Sequence, residues 1–369
     1  MMLTAMMLML CGVTSARAET SPLRAEGIPV ARNAFGAAEI RITQEDFFLL
    51  GFDPGDSCDI AFSNGYSLED IPLYTGFYTR SGEKLICAYP GYKYLSAAIC
   101  DGDPLWDTAK LSEGDTAVVT LREKGKYLEI QESLELTYSN DRADYPDDET
   151  FVNFRMLRGG KMAEGRCYRG ASPVDNLMSR AATADRLLGQ YGIRSVMDLA
   201  DTEEELEEFR AQEGFSSEQF MTLYREGRVA LLGLGADFGG TEFRGRLADG
   251  LRRITAGTAP VYIHCLEGKD RTGFVCALLE ALCGASGREI SADYMLTYRN
   301  YYGITEADQP DRYRAVTSIY LYNILSALTG RSYDTDRNGD EMRECAERYL
   351  LDSGMTKSEI DALTAFLTQ

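Results

Sequence analysis

The feature that most restricts what this chain can fold into is the stretch Val261-Tyr262-Ile263-His264-Cys265-Leu266-Glu267-Gly268-Lys269-Asp270-Arg271-Thr272-Gly273. The apolar run from Pro260 to Ile263 reads as a buried strand. The run beginning at Arg271, with Phe274, Val275, Ala277, Leu278, Leu279, Ala281 and Leu282, reads as a buried helix. Between them lies a glycine-containing turn with a cysteine at its entrance and an arginine six residues later. A loop that leaves a strand and opens a helix points several backbone N–H groups into one concavity, backed by the positive end of the helix dipole. Such a cup suits a tetrahedral oxyanion. The same amides and the Arg271 guanidinium would hold a thiol at the rim, Cys265, as its thiolate. The planar fork of Arg271 matches two phosphate oxygens, and the Thr272 hydroxyl is placed to hydrogen-bond the thiolate and improve it as a leaving group.

The string His264-Cys265, five residues, Arg271-Thr272-Gly273 resembles the signature of the cysteine-dependent protein tyrosine phosphatases. Its fuller form, Gly268-Lys269-Asp270-Arg271-Thr272-Gly273, resembles the bacterial branch that acts on phosphotyrosine and, in some members, on phosphoserine, phosphothreonine or phosphoinositides. Asn153-Phe154-Arg155 and Tyr168-Arg169-Gly170-Ala171-Ser172 resemble the family's opening motifs, in which an arginine helps to line the phosphate pocket. The segment Tyr349 to Gln369 resembles its final helices. The resemblance thus covers roughly residues 150 to 369. It implies that Cys265 attacks phosphorus to form a cysteinyl-phosphate that water then hydrolyses, with Arg271 holding the phosphoryl group. Leu266, Glu267, Gly268, Lys269, Thr272 and Arg169 would bind substrate, and His264 would buttress the loop. No metal and no cofactor is implied.

A leaving phenoxide or alkoxide needs a proton, which a carboxylic acid supplies. Two aspartates compete for that role. Asp237, in Gly235-Ala236-Asp237-Phe238-Gly239-Gly240, follows a strand and lies 28 residues before Cys265, about where the family's mobile acid loop stands. The Trp-Pro that the family carries beside the acid is absent, and a plain turn aspartate flanked by glycines is the other reading. Asp270 lies within the cup itself, where the bacterial branch carries an aspartate. Lys269 adds positive charge that suits phosphoinositides as well as phosphotyrosine, whereas Glu267 works against a highly phosphorylated inositol.

Charge and composition exclude other classes. The formal net charge of -20 argues against nucleic acid or an anionic membrane as a bulk partner, so a phosphate site has to be a local positive cup in a negative surface. The single histidine, His264, excludes Ser-His-Asp triads, Cys-His proteases with a separate base and His-rich metal sites. The start, an apolar run from Met1 to Val13 leading to Ala16-Arg17-Ala18, reads as a secretory signal cut after Ala18, though without a basic n-region. Export or a cell-envelope location is the expectation, with a cytoplasmic one as the alternative. Cys11 follows Leu10 where a lipoprotein signal wants a small residue, so lipidation is not expected. Nor is stable insertion in a membrane. Eight cysteines would survive cleavage. Mostly free thiols are expected, with Cys87 and Cys100 the first candidates for a bridge.

At 369 residues the chain accommodates two domains, each with its own core. Residues 19 to 135 read as a small β-rich domain, barrel-like, with short strands at Ala38–Thr43, Cys58–Phe62, Lys84–Ala88, Ala117–Leu121 and Tyr127–Ile130. Turns fall at Asn64-Gly65, Ser81-Gly82 and Lys124-Gly125, and Ala117 to Ile130 reads as a hairpin. Its aromatic residues Tyr74, Phe77, Tyr78, Tyr89, Tyr92, Tyr94 and Trp106 are read first as core and turn packing and second as a ligand surface. Residues 136 to 152 read as a polar linker whose carboxylates are solvated.

Residues 153 to 369 form the second domain, with a helix from Asn176 to Gln190, a strand from Ile193 to Leu199, an acidic helix from Asp201 and a helix around Phe220 to Arg225. A strand from Val229 to Leu234 and a helix with Phe243, Leu247, Leu251 and Ile254 on one face come before the loop. Repeated strand and helix order predicts an α/β fold, a mostly parallel sheet covered by helices, with the loop at the carboxyl end of a strand. Further helices are expected at Ile290–Tyr298 and Ala315–Leu328. Asp334 to Asp340 has the opening of a calcium loop, but position twelve is Cys345, which favours a helix start instead.

The leading expectation is a phosphatase for phosphotyrosine, or with dual specificity. A phosphoinositide or inositol-phosphate phosphatase and a non-catalytic phosphate-binding module are the alternatives. Partners would be the phosphorylated protein or phosphoinositide, and the oligomeric state is not legible.

Overall fold

The structure, a computed structural model, describes residues 22–330 and 336–369. The expected signal segment and the first two positions of the calcium-like loop, 334 and 335, lie outside the described residues.

The N-terminal unit is a closed seven-stranded barrel. Its strands are β1 (Arg24–Arg32), β2 (Ala38–Thr43), β3 (Ser57–Phe62), β4 (Ser67–Tyr74), β5 (Lys84–Cys87), β6 (Tyr94–Ile99) and β7 (Thr116–Glu123). They run in the order β1-β2-β6-β5-β4-β3-β7, with β7 returning to pair with β1. Alternating residues point inward, so Ile28, Val30, Ile40, Ile60, Leu73, Ile86, Leu95 and Val119 fill one apolar interior. The pairs are antiparallel except β4 with β5. Asn64-Gly65 closes the β3–β4 hairpin with Gly65 at a φ of 91°, a conformation open to glycine without strain.

Two expectations fail in this unit. The hairpin from Ala117 to Ile130 does not form: β7 is followed by a helix, Leu128–Leu134. Tyr-Leu-Glu-Ile alternates like a strand, yet Tyr127, Ile130, Gln131 and Leu134 repeat at intervals of three and four. The last two are buried, which only a helix can satisfy. The candidate bridge fails as well, since all eight described cysteines are free thiols. Cys87 faces Ser96 in the β5–β6 ladder, whereas the Cys100 amide bonds to the Glu83 carbonyl at the other end of it. Four residues of strand, about 13 Å, separate the two, well beyond the roughly 7 Å a disulfide spans.

The C-terminal unit is built on a five-stranded sheet. Its strands are β8 (Arg155–Met156), β9 (Cys167–Gly170), β10 (Ser195–Asp198), β11 (Val229–Leu231) and β12 (Val261–His264), in the order β11-β10-β12-β9-β8. The pairings of β11, β10, β12 and β9 are parallel, and the edge pair β9–β8 is antiparallel. Helices Ala181–Gln190 and Glu218–Arg225 cover one face. Thr241–Thr255, Asp270–Leu282, Gly287–Tyr302, Gly339–Asp352 and Lys357–Thr368 build the larger core on the other. The register sets Asp198 beside His264 and His264 beside Gly170, so the carboxyl ends of β9, β10 and β12 finish level beneath one loop. Central β12 is wholly buried, as is every residue of the following helix from Thr272 to Leu282.

The helix expected from Asn176 starts only at Ala181. Ser179 adopts a φ of 57°, which a right-handed helix cannot contain, and Asn176 instead accepts a bond from the Ala181 amide. The expected helix at Ala315–Leu328 divides into Pro310–Val316 and Tyr322–Thr329 around a π-helical turn at Thr317–Leu321. In the calcium-like stretch, Asn338 caps the helix Gly339–Asp352 through a capping box with Glu341.

The two units touch directly. Arg80 donates to the Ser318 carbonyl at 2.8 Å and lies 4.3 Å over the Tyr322 ring, while Asn323 bonds both the Ser81 amide and the Thr79 carbonyl.

Candidate active site

The loop between β12 and the helix Asp270–Leu282 owes its shape to where its carbonyls go. The Leu266 carbonyl accepts from the Ser172 amide at 3.0 Å and the Glu267 carbonyl from the Tyr301 hydroxyl at 2.7 Å. The Gly268 carbonyl takes two donors, Asn153 Nδ2 at 3.1 Å and Arg169 Nη2 at 2.9 Å. In a trans peptide the carbonyl and the following N–H point opposite ways. Carbonyls fixed outward therefore turn the amides of Glu267, Gly268 and Lys269 inward, and the first turn of the helix adds its own unpaired N–H groups. Gly268 sits at a φ of 66°, and a Cβ there would meet the Gly170 carbonyl oxygen at 2.2 Å, so only glycine lets the loop lie this close to β9.

Cys265 stands at the base of this cup with 3% of its surface open. Arg271 follows in the first helical turn, its Nη1 bonded to the Leu234 carbonyl at 2.9 Å. The Thr272 hydroxyl is buried and has no hydrogen-bond partner among the described residues.

Arg169 is placed otherwise than expected. It is fully buried and approaches the loop through the Gly268 carbonyl, on the side away from the inward amides. Its Nη1 meets Asp293 at 2.6 Å, and Arg155 meets the same carboxylate at 2.7 Å. Burial alone would raise Asp293, but Arg155 and Arg169 hold it below the usual carboxylate range. Arg169 thus braces the loop and does not line the phosphate pocket. Asn153, held at a φ of 54°, completes the brace.

His264 is fully buried with neither ring nitrogen hydrogen-bonded, and burial pushes it down to about 4, so it is neutral at pH 7. Its Nε2 lies 3.7 Å from Asp198. Asp198 accepts the Ala200 and Asp201 amides at 2.9 and 3.1 Å. Burial pushes Asp198 up to about 6. Burial and then the Asp198 charge push Asp201 up to about 8. This carboxyl pair beneath the loop was not singled out from sequence, where Asp201 reads as a helix-start residue; the only available signal was an acidic pair directly after a buried strand.

At the rim, the Glu267 carboxylate is drawn sideways, taking the Tyr138 hydroxyl and lying 3.2 Å from Lys269. Tyr138 in turn stacks on Tyr301 at 4.9 Å. Residues expected to form a solvated linker therefore complete the loop's outer wall. Their carboxylates do structural work: Asp141 and Asp147 cap short helices, and Asp148 pairs with Arg142 and Arg186. Burial works against the Lys269 ammonium, but Asp270, Tyr302 and Glu267 hold its pKa above normal.

Asp270 opens onto a cavity of about 750 Å³ between the two units. Tyr294, Tyr298, Tyr302 and Tyr320 line it on one side, and Thr75 to Tyr78 of the barrel on the other. Crowding by the cleft walls raises the Asp270 carboxyl, against the pull of Lys269, while 55% of its side chain still meets water.

Asp237 is exposed, and its carboxylate fills the space over Gly240 at the start of the helix Thr241–Thr255. Its loop is fastened to the cup. Leu234 accepts from Arg271, Phe238 stacks on Phe274 at 4.5 Å, and Tyr349 donates to the Phe238 carbonyl at 2.6 Å.

Among the described residues, no group of three or more His, Cys, Asp or Glu side chains is arranged to hold a metal ion, and no helix is long and apolar enough to cross a membrane.

A family model described as the tyrosine phosphatase family matches residues 149–369. Nothing matches among curated proteins. Among solved structures, one similar chain is an uncharacterized conserved protein from Thermotoga maritima, 19% identical, covering 28% of this chain and 38% of its own length, with a TM-score of 0.24. Another is the core catalytic domain of the PP-IP phosphatase SIW14 from S. cerevisiae in complex with citrate. It is 17% identical, the match covers 48% of this chain and 86% of that one, and the TM-score is 0.28. The matched part thus spans less than two fifths of the Thermotoga chain.

Proposed function

We propose, from the premise that this chain belongs to the tyrosine phosphatase family, that it is a phosphoric monoester hydrolase whose substrates are phosphotyrosyl groups. The observation that carries this reading is the outward fixing of three successive carbonyls, at Leu266, Glu267 and Gly268, around one cysteine. It aims their partner amides at the place where three equatorial phosphoryl oxygens would sit. Arg271 keeps Nε and Nη2 for the same group while Nη1 holds Leu234.

In the first step the Cys265 sulfur forms a bond to phosphorus as the ester P–O bond breaks in line. The leaving oxygen takes its proton from an acid. We assign that proton to Asp270, because it lies in the loop itself, faces the cavity that adjoins the cup, and has its carboxyl raised from the ordinary value. In the second step water attacks phosphorus, Asp270 takes the water's proton, and the S–P bond breaks to release phosphate and restore the sulfur. The cleft walls of Tyr294, Tyr298 and Tyr302 suit an aryl ester by ring packing.

The test is turnover of p-nitrophenyl phosphate and phosphotyrosine by the wild type and by Cys265→Ser. Loss of turnover with retained binding of inorganic phosphate is the expected result. Undiminished turnover in Cys265→Ser would remove the mechanism.

A further inference from the structure

Beside the cavity that Lys269 and Asp270 line lies a second one, of about 540 Å³, on the outside of the barrel. Phe77, Tyr89, Asp101 and Ala236 line both, so the two are one continuous trough, with Ala236 directly preceding Asp237. Its aromatic residues divide the set seen in the sequence. Tyr74 and Trp106 are packed into the barrel, whereas Phe77, Tyr89 and Tyr92 are 44%, 48% and 57% exposed, and Phe35 is 76% exposed.

Large rings left in water on a folded surface are costly unless something covers them. These rings are also held in place. Gln44 donates to both the Tyr89 and Tyr92 carbonyls at 2.9 Å, fixing the turn that bears them, and the two rings meet edge to face at 5.7 Å. Asn33 accepts the Phe35 and Ala37 amides and fixes the other turn. Rigid aromatic anchors bind with little loss of conformational entropy.

Charge selects the occupant. Asp101 and Asp103 line the outer cavity, and Lys269, at the cup, is the only lysine or arginine among the described residues that lines either one. Along the trough, Lys269 is the one basic group, set beside Asp270 with Glu135 on the same cavity, and the far end holds aromatic rings and the carboxylates of Asp101 and Asp103 with no cation among them. A polyphosphorylated headgroup is repelled by that outer end. We infer that the outer cavity docks the flank of a phosphotyrosyl peptide, through an aromatic or large aliphatic side chain next to a basic residue. This rests on the activity proposed above and adds to it a sequence preference around the phosphorylated residue. Because Ala236 belongs to the docking wall, an occupied trough also packs against the loop that carries Asp237.

The experiment compares the wild type with the double variant Phe35→Ala/Tyr92→Ala, both positions being exposed and outside the catalytic cup. The substrates are free phosphotyrosine and phosphotyrosyl peptides with an Arg-Phe pair scanned two to six residues to either side, against peptides with Ser-Gly in its place. At one spacing the Arg-Phe peptide should show a KM about tenfold lower than its control, as expected for one desolvated aromatic anchor. The double variant should abolish that difference and leave turnover of free phosphotyrosine unchanged. Equal KM values at every spacing, or discrimination that survives in the double variant, would overturn the inference. So would loss of turnover confined to phosphatidylinositol-phosphate vesicles, which would assign the trough to lipid. If no phosphate ester is hydrolysed at all, the activity falls instead, and binding of the same peptides to the two proteins decides the docking, equal affinity overturning it.

Discussion

At the scale of single residues, two carboxyls raised by different surroundings lead to separate predictions. If Asp270 supplies the leaving-group proton, Asp270→Asn lowers kcat for an alkyl phosphate by about 100-fold or more. It costs much less on p-nitrophenyl phosphate, whose phenolate leaves without help. Asp237→Asn should change neither, and the reverse pattern would give Asp237 the role. The alkaline fall of kcat/KM for alkyl esters follows deprotonation of Asp270 and should vanish in Asp270→Asn. The second prediction concerns stability. Burial, and then the closeness of their two charges, raises the Asp198–Asp201 pair above its value in an unfolded chain, so the folded pair holds a proton that the unfolded chain releases. The pair's contribution is complete below about pH 4, the ordinary carboxylate range, and is lost as pH rises through the raised titration of the folded pair. Tm of the wild type should therefore fall between pH 6 and 8, and Asp201→Asn should flatten that slope. His264, pushed down to about 4, acts oppositely, losing stability as pH falls below its ordinary value of 6.5 toward 4. The strand, loop and helix that carry Cys265, Asp270 and Arg271 were legible because a motif fixes residue type and spacing along the chain. Arg169 was misread and Asp198 missed, because a side chain's direction depends on strand register, which no local pattern encodes.

At the scale of elements, the loop is only as rigid as the strands and helices that grip it. Arg169 on β9 holds Gly268, and Asp293 on the helix Gly287–Tyr302 holds Arg169, so one ion pair joins the sheet to the far helix through the loop. Arg169→Met leaves Asp293 with Arg155 alone and should cost about 2 to 3 kcal/mol in denaturant unfolding, as expected for the loss of charge-assisted hydrogen bonds while one partner remains. Arg169→Lys keeps the charge but has no planar fork to reach both partners. It should recover most of the stability and little of the activity, and full recovery of both would reduce the brace to charge alone. The buried strand β12 and its helix were evident from unbroken apolar runs. The segment after β7 was not, because four alternating residues satisfy a strand and only the next turn, through Gln131 and Leu134, reveals the helical period.

At the scale of the whole molecule, the cup is finished from outside the matched segment. Tyr138 precedes residue 149, yet it bonds Glu267 and stacks on Tyr301, and the barrel supplies the opposite wall of the cleft. Tyr138→Phe should leave Glu267 more fully to Lys269 and raise KM for aryl phosphates about threefold to tenfold with kcat unchanged, the net worth of one ordinary hydrogen bond, about 0.7 to 1.4 kcal/mol. An unaltered KM would make Tyr138 mere packing. Sequence composition separated a β-rich part from an α/β part, but how the two parts face each other depends on contacts such as Arg80 with Ser318 and Tyr322, which have no linear signature. The barrel's return of β7 onto β1 bears on recruitment. Among the described residues every strand of the barrel has a neighbour on either side along at least part of its length, so no free edge strand invites an incoming polypeptide to extend this unit by strand addition. Whatever is recognised there is recognised through the shape and chemistry of protruding side groups, and hence is open to retuning by point substitution without disturbing the scaffold.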